Sequence, residues 1–280
     1  MKARPCDGLF CFGIFRAMKK NAPIGIFDSG VGGSSIWNEI HQLLPNENTI
    51  YLADSANAPY GNRPESEIIA LSIKNTEALI AMGCKIIVVA CNTATTNAID
   101  ILRSTYEIPI IGIEPAIKPA ALGTHTKSIG ILATKGTLSS ALFHKTSEAF
   151  TKDISVVEIV GEGLVPLIEN GALESLELRK LLVKYTAPML AANIDYLVLG
   201  CSHYPYLIPL LEEILPETVM IIDSGEAVAR QTKSLLEKID LLSEEKSVPK
   251  LQFYTNAEIE TLEMLLKEFS HKITIQKKEF

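Results

Sequence analysis

The chain of 280 residues is 47% apolar and 21% charged, enough apolar material for a folded core, which excludes a mainly disordered protein. Its 26 basic and 33 acidic residues give a net charge of −7, which argues against nucleic acid or an anionic membrane as the main partner. At about 150 residues per domain, the length predicts roughly two domains or one large α/β domain.

The N-terminal segment carries a short apolar run at residues 9–15, after Lys2 and Arg4. The run is too short to span a membrane and lacks the small-residue cleavage site of a secretory signal. No other stretch is long and apolar enough to cross a bilayer. We therefore expect a cytoplasmic protein with an N-terminal extension over residues 1–20, and Met18 as an alternative start.

Short apolar runs rich in β-branched residues alternate with amphipathic stretches along the chain. They predict strands at residues 24–27, 49–53, 85–90, 108–111, 129–133, 155–160, 196–199, 219–222, 251–254 and 273–275. Continuous apolar strands separated by helices are typical of a mostly parallel sheet that is covered on both faces. The predicted fold class is therefore α/β.

Two of the amphipathic stretches show the period of a helix. The first helix is predicted over residues 65–82, and it carries Ile69, Ile73, Thr76 and Ile80 along one side. The second is predicted to end at Pro216, and the apolar residues on one of its sides are Leu207, Leu210, Leu211 and Ile214.

A weak internal repeat relates two parts of the sequence. The strand at residues 23–27 resembles residues 128–132, and residues 90–93 resemble residues 200–203, where a strand again ends in cysteine and polar residues. This pattern predicts two similar α/β domains with the active site in the cleft between them. We expect the first domain to cover residues 21–115 plus 225–280 and the second to cover 116–224.

Polar side chains follow several predicted strands at their carboxyl ends, where open parallel sheets bind ligands. These segments are Asp28-Ser29-Gly30, Cys91-Asn92-Thr93, Cys201-Ser202-His203 and Asp223-Ser224-Gly225, and Pro59-Tyr60-Gly61 follows a fifth strand that ends at Asp54.

The glycine-rich turn at residues 30–33 allows a dinucleotide-binding interpretation. Asp54 lies 24 residues after Gly30, near the spacing expected for an acid that binds a ribose. However, Ser35 replaces the third glycine of the fingerprint, and the charge of Asp28 would oppose a pyrophosphate at the helix start. A nucleotide-dependent oxidoreductase therefore stays an alternative.

The five cysteines show no spacing typical of a disulfide framework or a zinc site, so we predict neither disulfides nor a metal. Cys84 is expected to pack as a small apolar side chain. Cys91 and Cys201 each precede a predicted helix start, where backbone N–H groups favour a thiolate. Two facing thiols could form a redox pair, bind a soft metal or act as two bases on one carbon. Cys201 with His203 could also serve a hydrolase.

Taken together, these motifs resemble the glutamate racemases of the aspartate/glutamate racemase family over residues 24–270. The segments that carry the resemblance are 24–33, 58–61, 90–95, 112–115 and 200–205. The resemblance implies a cytoplasmic isomerase without cofactor that supplies D-glutamate for peptidoglycan, and hence for cell wall biogenesis and cell shape. It also implies two α/β domains with the active site between them.

By this resemblance, Cys91 would exchange the α-proton of D-glutamate and Cys201 that of L-glutamate. Asp28 would lie near the first thiol, His203 near the second, and Glu169 would be a further catalytic carboxylate. The substrate-binding positions implied are Asp28, Ser29, Pro59, Tyr60, Gly61, Asn92, Thr93, Thr134, Thr137, Ser202 and His203. Position 202 usually holds threonine in the family, and serine keeps its hydroxyl.

The resemblance implies L- and D-glutamate as substrates and is compatible with a homodimer. Some family members with such an N-terminal extension need UDP-N-acetylmuramoyl-L-alanine as activator. Aspartate racemase is a close alternative, because the pocket that sets side-chain length cannot be deduced from these motifs. A protein that binds a ligand in the cleft without turnover is an alternative outside the enzymes.

Overall fold

The computed structural model of the chain describes residues 19–244 and 248–280. Most of the predicted extension, with Cys6, Cys11 and Met18, lies outside the described residues. Every strand predicted from the sequence is confirmed, with ends that differ by at most two residues. The strands are β1 (Ile24–Asp28), β2 (Thr49–Ala53), β3 (Ile86–Val89), β4 (Ile110–Gly112), β5 (Ser128–Ala133), β6 (Ser155–Val160), β7 (Tyr196–Gly200), β8 (Met220–Ile222), β9 (Leu251–Thr255) and β10 (Ile273–Lys277).

Helices connect the strands in the α/β alternation that the sequence predicts. They are α1 (Ser34–Leu43), α2 (Glu65–Ala81), α3 (Asn92–Thr105), α4 (Ile117–Gly123), α5 (Lys135–Leu138), α6 (Ala141–Phe150), α7 (Leu164–Glu169), α8 (Leu176–Ala191), α9 (Ile208–Ile214), α10 (Gly225–Lys238) and α11 (Glu260–Leu265). Short 3₁₀ turns cover Ser55–Asn57, Tyr60–Asn62, Tyr204–Leu207 and Lys267–Phe269. Within the described part of the chain, none of the helices combines the length and the apolar character that a membrane span requires.

The strands form two sheets, ordered β10-β9-β2-β1-β3-β4 and β6-β5-β7-β8. Each pair of neighbouring strands is parallel, which confirms the predicted parallel architecture. The order β2-β1-β3-β4 in one sheet matches β6-β5-β7-β8 in the other. We call the six-stranded sheet with its helices the first half and the four-stranded sheet with its helices the second half. Equivalent strands therefore present their carboxyl ends in equivalent places.

The C-terminal part of the chain returns to the first half. Helix α10 packs along α1, and β9 and β10 extend the sheet beyond β2. Trp37 of α1 stacks on His41 and meets Phe253 of β9 edge-on at 4.8 Å between ring centroids. These contacts support the proposed domain boundary at residues 224 and 225, which stays a prediction.

Of the four residues that the sequence places along one side of α2, Thr76 alone is among the buried side chains of the helix. The most buried side chains of this helix are Ile68, Ser72, Asn75, Thr76 and Leu79. The sequence pattern missed this side because three of its five residues are polar. The Ser72 hydroxyl donates to the Ile68 carbonyl, and the Asn75 amide donates to Tyr60. Buried hydroxyl and amide groups that find partners can occupy such positions.

A buried ion pair lies in the first half, at the amino ends of its strands and therefore opposite the carboxyl ends that carry the cysteines. The Lys85 ammonium is 2.6 Å from a carboxylate oxygen of Glu47, and neither side chain is appreciably exposed. Lys85 also donates to the carbonyls of Lys20 and Leu241, while the second Glu47 oxygen accepts from the Ser243 N–H. The ion pair thereby joins β3 to segments that are distant in the sequence.

Candidate functional site

Both strand-end cysteines line one narrow cavity between the two halves. Its walls are formed by Ser29, Pro59, Tyr60, Gly61, Cys91, Asn92, Thr93, Thr134, Val165, Cys201, Ser202 and His203. The cavity measures about 10 Å³, barely room for one water molecule. Cys91 and Cys201 are only 4% and 7% exposed. A ligand larger than water can therefore enter only when the walls separate.

Cys91 lies between the end of β3 and the start of α3. Its sulfur accepts a hydrogen bond from the Ala94 N–H at 3.4 Å, and its thiol donates to the Ser29 hydroxyl at 3.5 Å. Burial, followed by the negative charge of Asp28, raises the pKa of the Cys91 thiol, although the Ala94 N–H acts in the opposite direction. The expected preference for a thiolate at this helix start is therefore outweighed by burial, which favours the protonated thiol.

Cys201 occupies the equivalent place at the end of β7. A 3₁₀ turn, Tyr204–Leu207, follows it where the sequence predicts the start of a helix. The Cys201 sulfur lies 3.8 Å from His203 Nδ1, and the Ser202 hydroxyl lies 3.5 Å from the same nitrogen. His203 is thus a titratable group within hydrogen-bonding distance of the Cys201 sulfur.

Asp28 is fully buried at the end of β1 and holds the glycine-rich turn. One carboxylate oxygen accepts from the N–H groups of Gly30 at 3.2 Å and Gly33 at 3.0 Å. The other accepts from the Ser202 hydroxyl of the second half at 3.0 Å. The N–H groups of the turn that would bind a pyrophosphate are therefore already bonded to Asp28. This weighs against the dinucleotide interpretation.

Glu169, at the end of α7, contacts both His203 of its own half and the glycine-rich turn of the first half. One carboxylate oxygen lies 2.5 Å from His203 Nε2 and accepts from the Val31 N–H at 2.7 Å. Burial by itself would lower the pKa of His203, but the contacts with Cys201 and Glu169 and the charge of Asp28 outweigh it and raise the pKa well above its ordinary value. The raised pKa favours the imidazolium form of His203 beside the Cys201 sulfur.

Two glycines of the turn allow this close approach. A Cβ atom at Gly30 would lie 1.9 Å from a carboxylate oxygen of Glu169, and one at Gly32 would lie 2.2 Å from His203 Nδ1. Space, rather than turn geometry alone, accounts for glycine at both positions.

Three threonines form a hydroxyl cluster on one wall. Thr93 lies 2.8 Å from Thr134 and 3.3 Å from Thr137, and Thr134 lies 3.0 Å from Thr137. Thr137 is fully buried behind the wall, so it positions the other two hydroxyls and does not face the cavity.

Tyr60 is held from behind by Asp54. The Tyr60 hydroxyl donates to one Asp54 oxygen, and the other oxygen accepts from the amides of Asn57 at 2.8 Å and Asn256 at 2.5 Å. Asp54 is fully buried among these partners. The suggestion that Asp54 binds a ribose is therefore wrong in this geometry: its role is to fix a residue of the cavity wall.

Asn92 stands out among the wall residues because its amide is unpaired. The side chain is 2% exposed, and neither its nitrogen nor its oxygen has a hydrogen-bond partner in the described residues. Buried amides without partners are rare because the unmade bond costs about 1–3 kcal/mol. An amide donor and acceptor aimed into the cavity is what a polar ligand would use.

One predicted strand end is not part of this cavity. Asp223 accepts from the Gly225 N–H at 2.6 Å, and Ser224 donates to the Glu114 carbonyl. Together they line a separate cavity of about 430 Å³ where the chain crosses between the halves. The segment therefore begins α10 and fastens the crossover.

Several contacts between the halves were missed at the sequence level. Ser34 meets the Tyr206 hydroxyl at 2.6 Å, Ser35 donates to the Ser202 carbonyl at 2.9 Å, and Ser55 donates to Glu169 at 2.9 Å. Only Ser55 carried a signal, since it follows the strand end at Asp54. The others become visible only when the two halves face each other.

The comparisons with known proteins agree with this geometry. Residues 25–232 match the model of the Asp/Glu/hydantoin racemase family. A glutamate racemase of Ectopseudomonas mendocina is 45% identical over 249 residues, which cover 89% of this chain and 94% of the relative. One from Pseudomonas syringae pv. tomato is 49% identical over 224 residues, 80% of this chain and 82% of the relative.

Solved structures give the same result. A glutamate racemase isoform of Bacillus anthracis has a TM-score of 0.83 at 30% identity, covering 93% of this chain and 98% of that one. Escherichia coli glutamate racemase, in complex with L-glutamate and the activator UDP-MurNAc-ala, has a TM-score of 0.81 at 33% identity, with 91% and 98% covered. The chain therefore belongs to the Asp/Glu/hydantoin racemase family and is an enzyme. Within that family, all four of these relatives are glutamate racemases.

Proposed function

We propose that the protein interconverts L- and D-glutamate by proton transfer at the α-carbon, with Cys91 and Cys201 as the two bases. The observation that carries the proposal is the placement of both thiols. They end equivalent strands, β3 and β7, of two sheets with the same strand order, and they line one cavity. The glutamate racemases among the relatives support glutamate as the substrate.

The chemistry needs a base on each face of the substrate. With L-glutamate, the Cys201 thiolate takes the α-proton, and the Cys91 thiol donates its proton to the opposite face of the carbanion. The reverse reaction exchanges the two roles, so each turnover leaves the proton on the other sulfur. The raised pKa of Cys91 keeps it protonated and ready to donate in the first direction. The His203 imidazolium can balance the negative charge at the Cys201 sulfur, 3.8 Å away.

The α-proton of an amino acid is weakly acidic, so the site must stabilise the carbanion. The unpaired Asn92 amide, the hydroxyls of Thr93 and Ser29 and the N–H groups at the start of α3 are the donors available for a carboxylate. Because the cavity is so narrow, the halves must part to admit glutamate and then close around it, which excludes water from the reacting carbon. No step of this mechanism requires a cofactor or a metal.

We further propose that the D-glutamate formed is used in the cytoplasm for peptidoglycan synthesis, and hence for the cell wall and cell shape. UDP-N-acetylmuramoyl-L-alanine is proposed as an activator to be tested, since the Escherichia coli relative was solved with UDP-MurNAc-ala. Assembly as a homodimer stays a prediction.

The test is the optical activity of amino-acid solutions incubated with the purified protein, followed by circular dichroism. We expect the L-glutamate signal to decay to zero as a racemic mixture forms, while L-aspartate keeps its signal. Unchanged L-glutamate, with and without the nucleotide, would overturn the proposal. Decay of L-aspartate alone would favour the aspartate racemase alternative, and reduction of NAD in place of racemisation would favour the oxidoreductase.

A further inference from the structure

The Glu169 carboxylate is held at both oxygens, and the partner of the second oxygen comes from the opposite half. One oxygen contacts His203 and the Val31 N–H, as described above. The other accepts from the Ser55 hydroxyl at 2.9 Å. A glutamate carboxylate rotates easily about its last torsion, which is broad and roughly two-fold. A donor on the second oxygen fixes that rotation and thereby aims the first oxygen.

Ser55 is itself held in place on both sides. The N–H of the preceding residue, Asp54, donates to the Asp28 carbonyl at 3.1 Å, and the N–H of the following residue, Ala56, donates to the Asn256 side chain at 2.9 Å. The Ser55 hydroxyl therefore rests on backbone that is bonded to two strand ends of the first half. Such support is what a group needs in order to orient another side chain.

We propose that Ser55 is a positioning residue for the reaction, which orients the Glu169 carboxylate and through it His203 and the Cys201 proton transfer. The proposal rests on the proposed two-thiol function. The hydrogen bonds of the Cys91 sulfur are made instead with Ser29 and Ala94. Loss of Ser55 should consequently slow proton transfer at one sulfur and leave the other unchanged.

Because only one of the two proton transfers should slow, kinetics can distinguish a positioning role of Ser55 from a merely structural one. The two enantiomers have equal free energies, so kcat/KM must fall equally in both directions. The effects of α-deuteration on kcat/KM, however, can differ between the two directions. When the Cys201 step becomes more rate-limiting, the effect of α-deuteration on kcat/KM rises for L-glutamate, whose proton goes to Cys201. It falls for D-glutamate, whose proton goes to Cys91.

Three variants distinguish a positioning role of the Ser55 hydroxyl from a structural one. Ser55→Ala removes the hydroxyl, and Ser55→Thr retains it. Thr261→Val is the matched control, because Thr261 also crosses from the first half to Glu169 but donates to its backbone carbonyl, at 2.8 Å. We expect kcat/KM of Ser55→Ala to fall about tenfold, which corresponds to roughly 1.4 kcal/mol. Its two isotope effects should move in opposite senses, while Ser55→Thr and Thr261→Val should keep wild-type isotope effects.

The proposal is overturned if the isotope effects of Ser55→Ala stay unchanged or move together, or if Thr261→Val reproduces them. Ser55→Gly, which also lacks the hydroxyl, is measured in the same way if the alanine variant does not fold. A wild-type protein that fails to racemise glutamate would instead overturn the proposed function, so the two failures are distinguishable.

Discussion

Gly30 is the position where a single added methyl group should disrupt the site most directly. Its Cβ atom would lie 1.9 Å from a Glu169 oxygen and 2.6 Å from the carboxylate carbon. The backbone of Gly30 lies outside the left-handed region, so alanine brings no torsional strain and the whole effect comes from this contact. The carboxylate at the end of a flexible side chain must swing away, and it then loses both Val31 and His203.

The size of the effect follows from those two contacts. A hydrogen bond to a charged group contributes about 1.5–3 kcal/mol, and water can replace part of it at the partly buried Val31 N–H. We expect Gly30→Ala to lose about 2 kcal/mol of unfolding free energy in urea, and the Tm to fall by roughly 4–8 °C. Because His203 loses its carboxylate partner, kcat/KM should fall about 100-fold, at the low end of acid–base contributions.

Gly123→Ala is the matched control for this prediction. It would place a Cβ atom 2.4 Å from the Tyr196 hydroxyl, again at the end of a side chain but away from the cavity. It should lose stability and keep wild-type racemisation, measured by circular dichroism of L-glutamate. The reasoning is refuted if Gly30→Ala retains wild-type kcat/KM, or if both variants lose activity alike.

Three further substitutions test separate parts of the structure. Lys85→Met leaves the buried Glu47 carboxylate without its counter-ion and should lower the unfolding free energy by about 3–5 kcal/mol. Adding Glu47→Gln should recover much of this loss. A smaller loss in Lys85→Met would mean that water reaches the ion pair. His203→Gln should reduce stability most at low pH: the folded-state pKa is raised, so the contribution is complete below about pH 6.5 and is lost as the pH rises through the higher folded value. Unfolding curves at a series of pH values would show no such trend if His203 were neutral. Asn92→Ala should raise KM for glutamate at least about tenfold, since it removes a bond to a charged ligand, while the Tm stays nearly unchanged because the amide is unpaired. A large fall in Tm with an unchanged KM would contradict that role.

The strands could be predicted from the sequence because parallel strands covered on both faces are continuous apolar runs. The weak repeat between residues 23–27 and 128–132 was informative for the same reason, since both segments are central strands of matching sheets. Helix α2 was harder, because its buried side includes Ser72 and Asn75. Their partners lie elsewhere in the fold, and hydrophobic periodicity does not record them.

The residues at the strand ends could be predicted from the sequence, but their charge states and their contacts between the halves could not. Strand ends identified Asp28, Cys91 and Cys201, because carboxyl ends of parallel strands meet at one edge. The charge state of Cys91 could not be predicted, since it depends on burial between halves that are separate in the sequence. The contact of Ser55 with Glu169 likewise spans 114 positions and arises only when the halves face each other.

The two-thiol mechanism is tested most directly by racemisation of L-glutamate in variants that lack one thiol at a time. Cys91→Ser and Cys201→Ser should each abolish the decay of optical activity, because each leaves one face of the α-carbon without a base. Cys84→Ser is the matched control, since Cys84 is equally buried but packs in the core of the first half. It should racemise like the wild type. Wild-type racemisation by either Cys91→Ser or Cys201→Ser would contradict the mechanism.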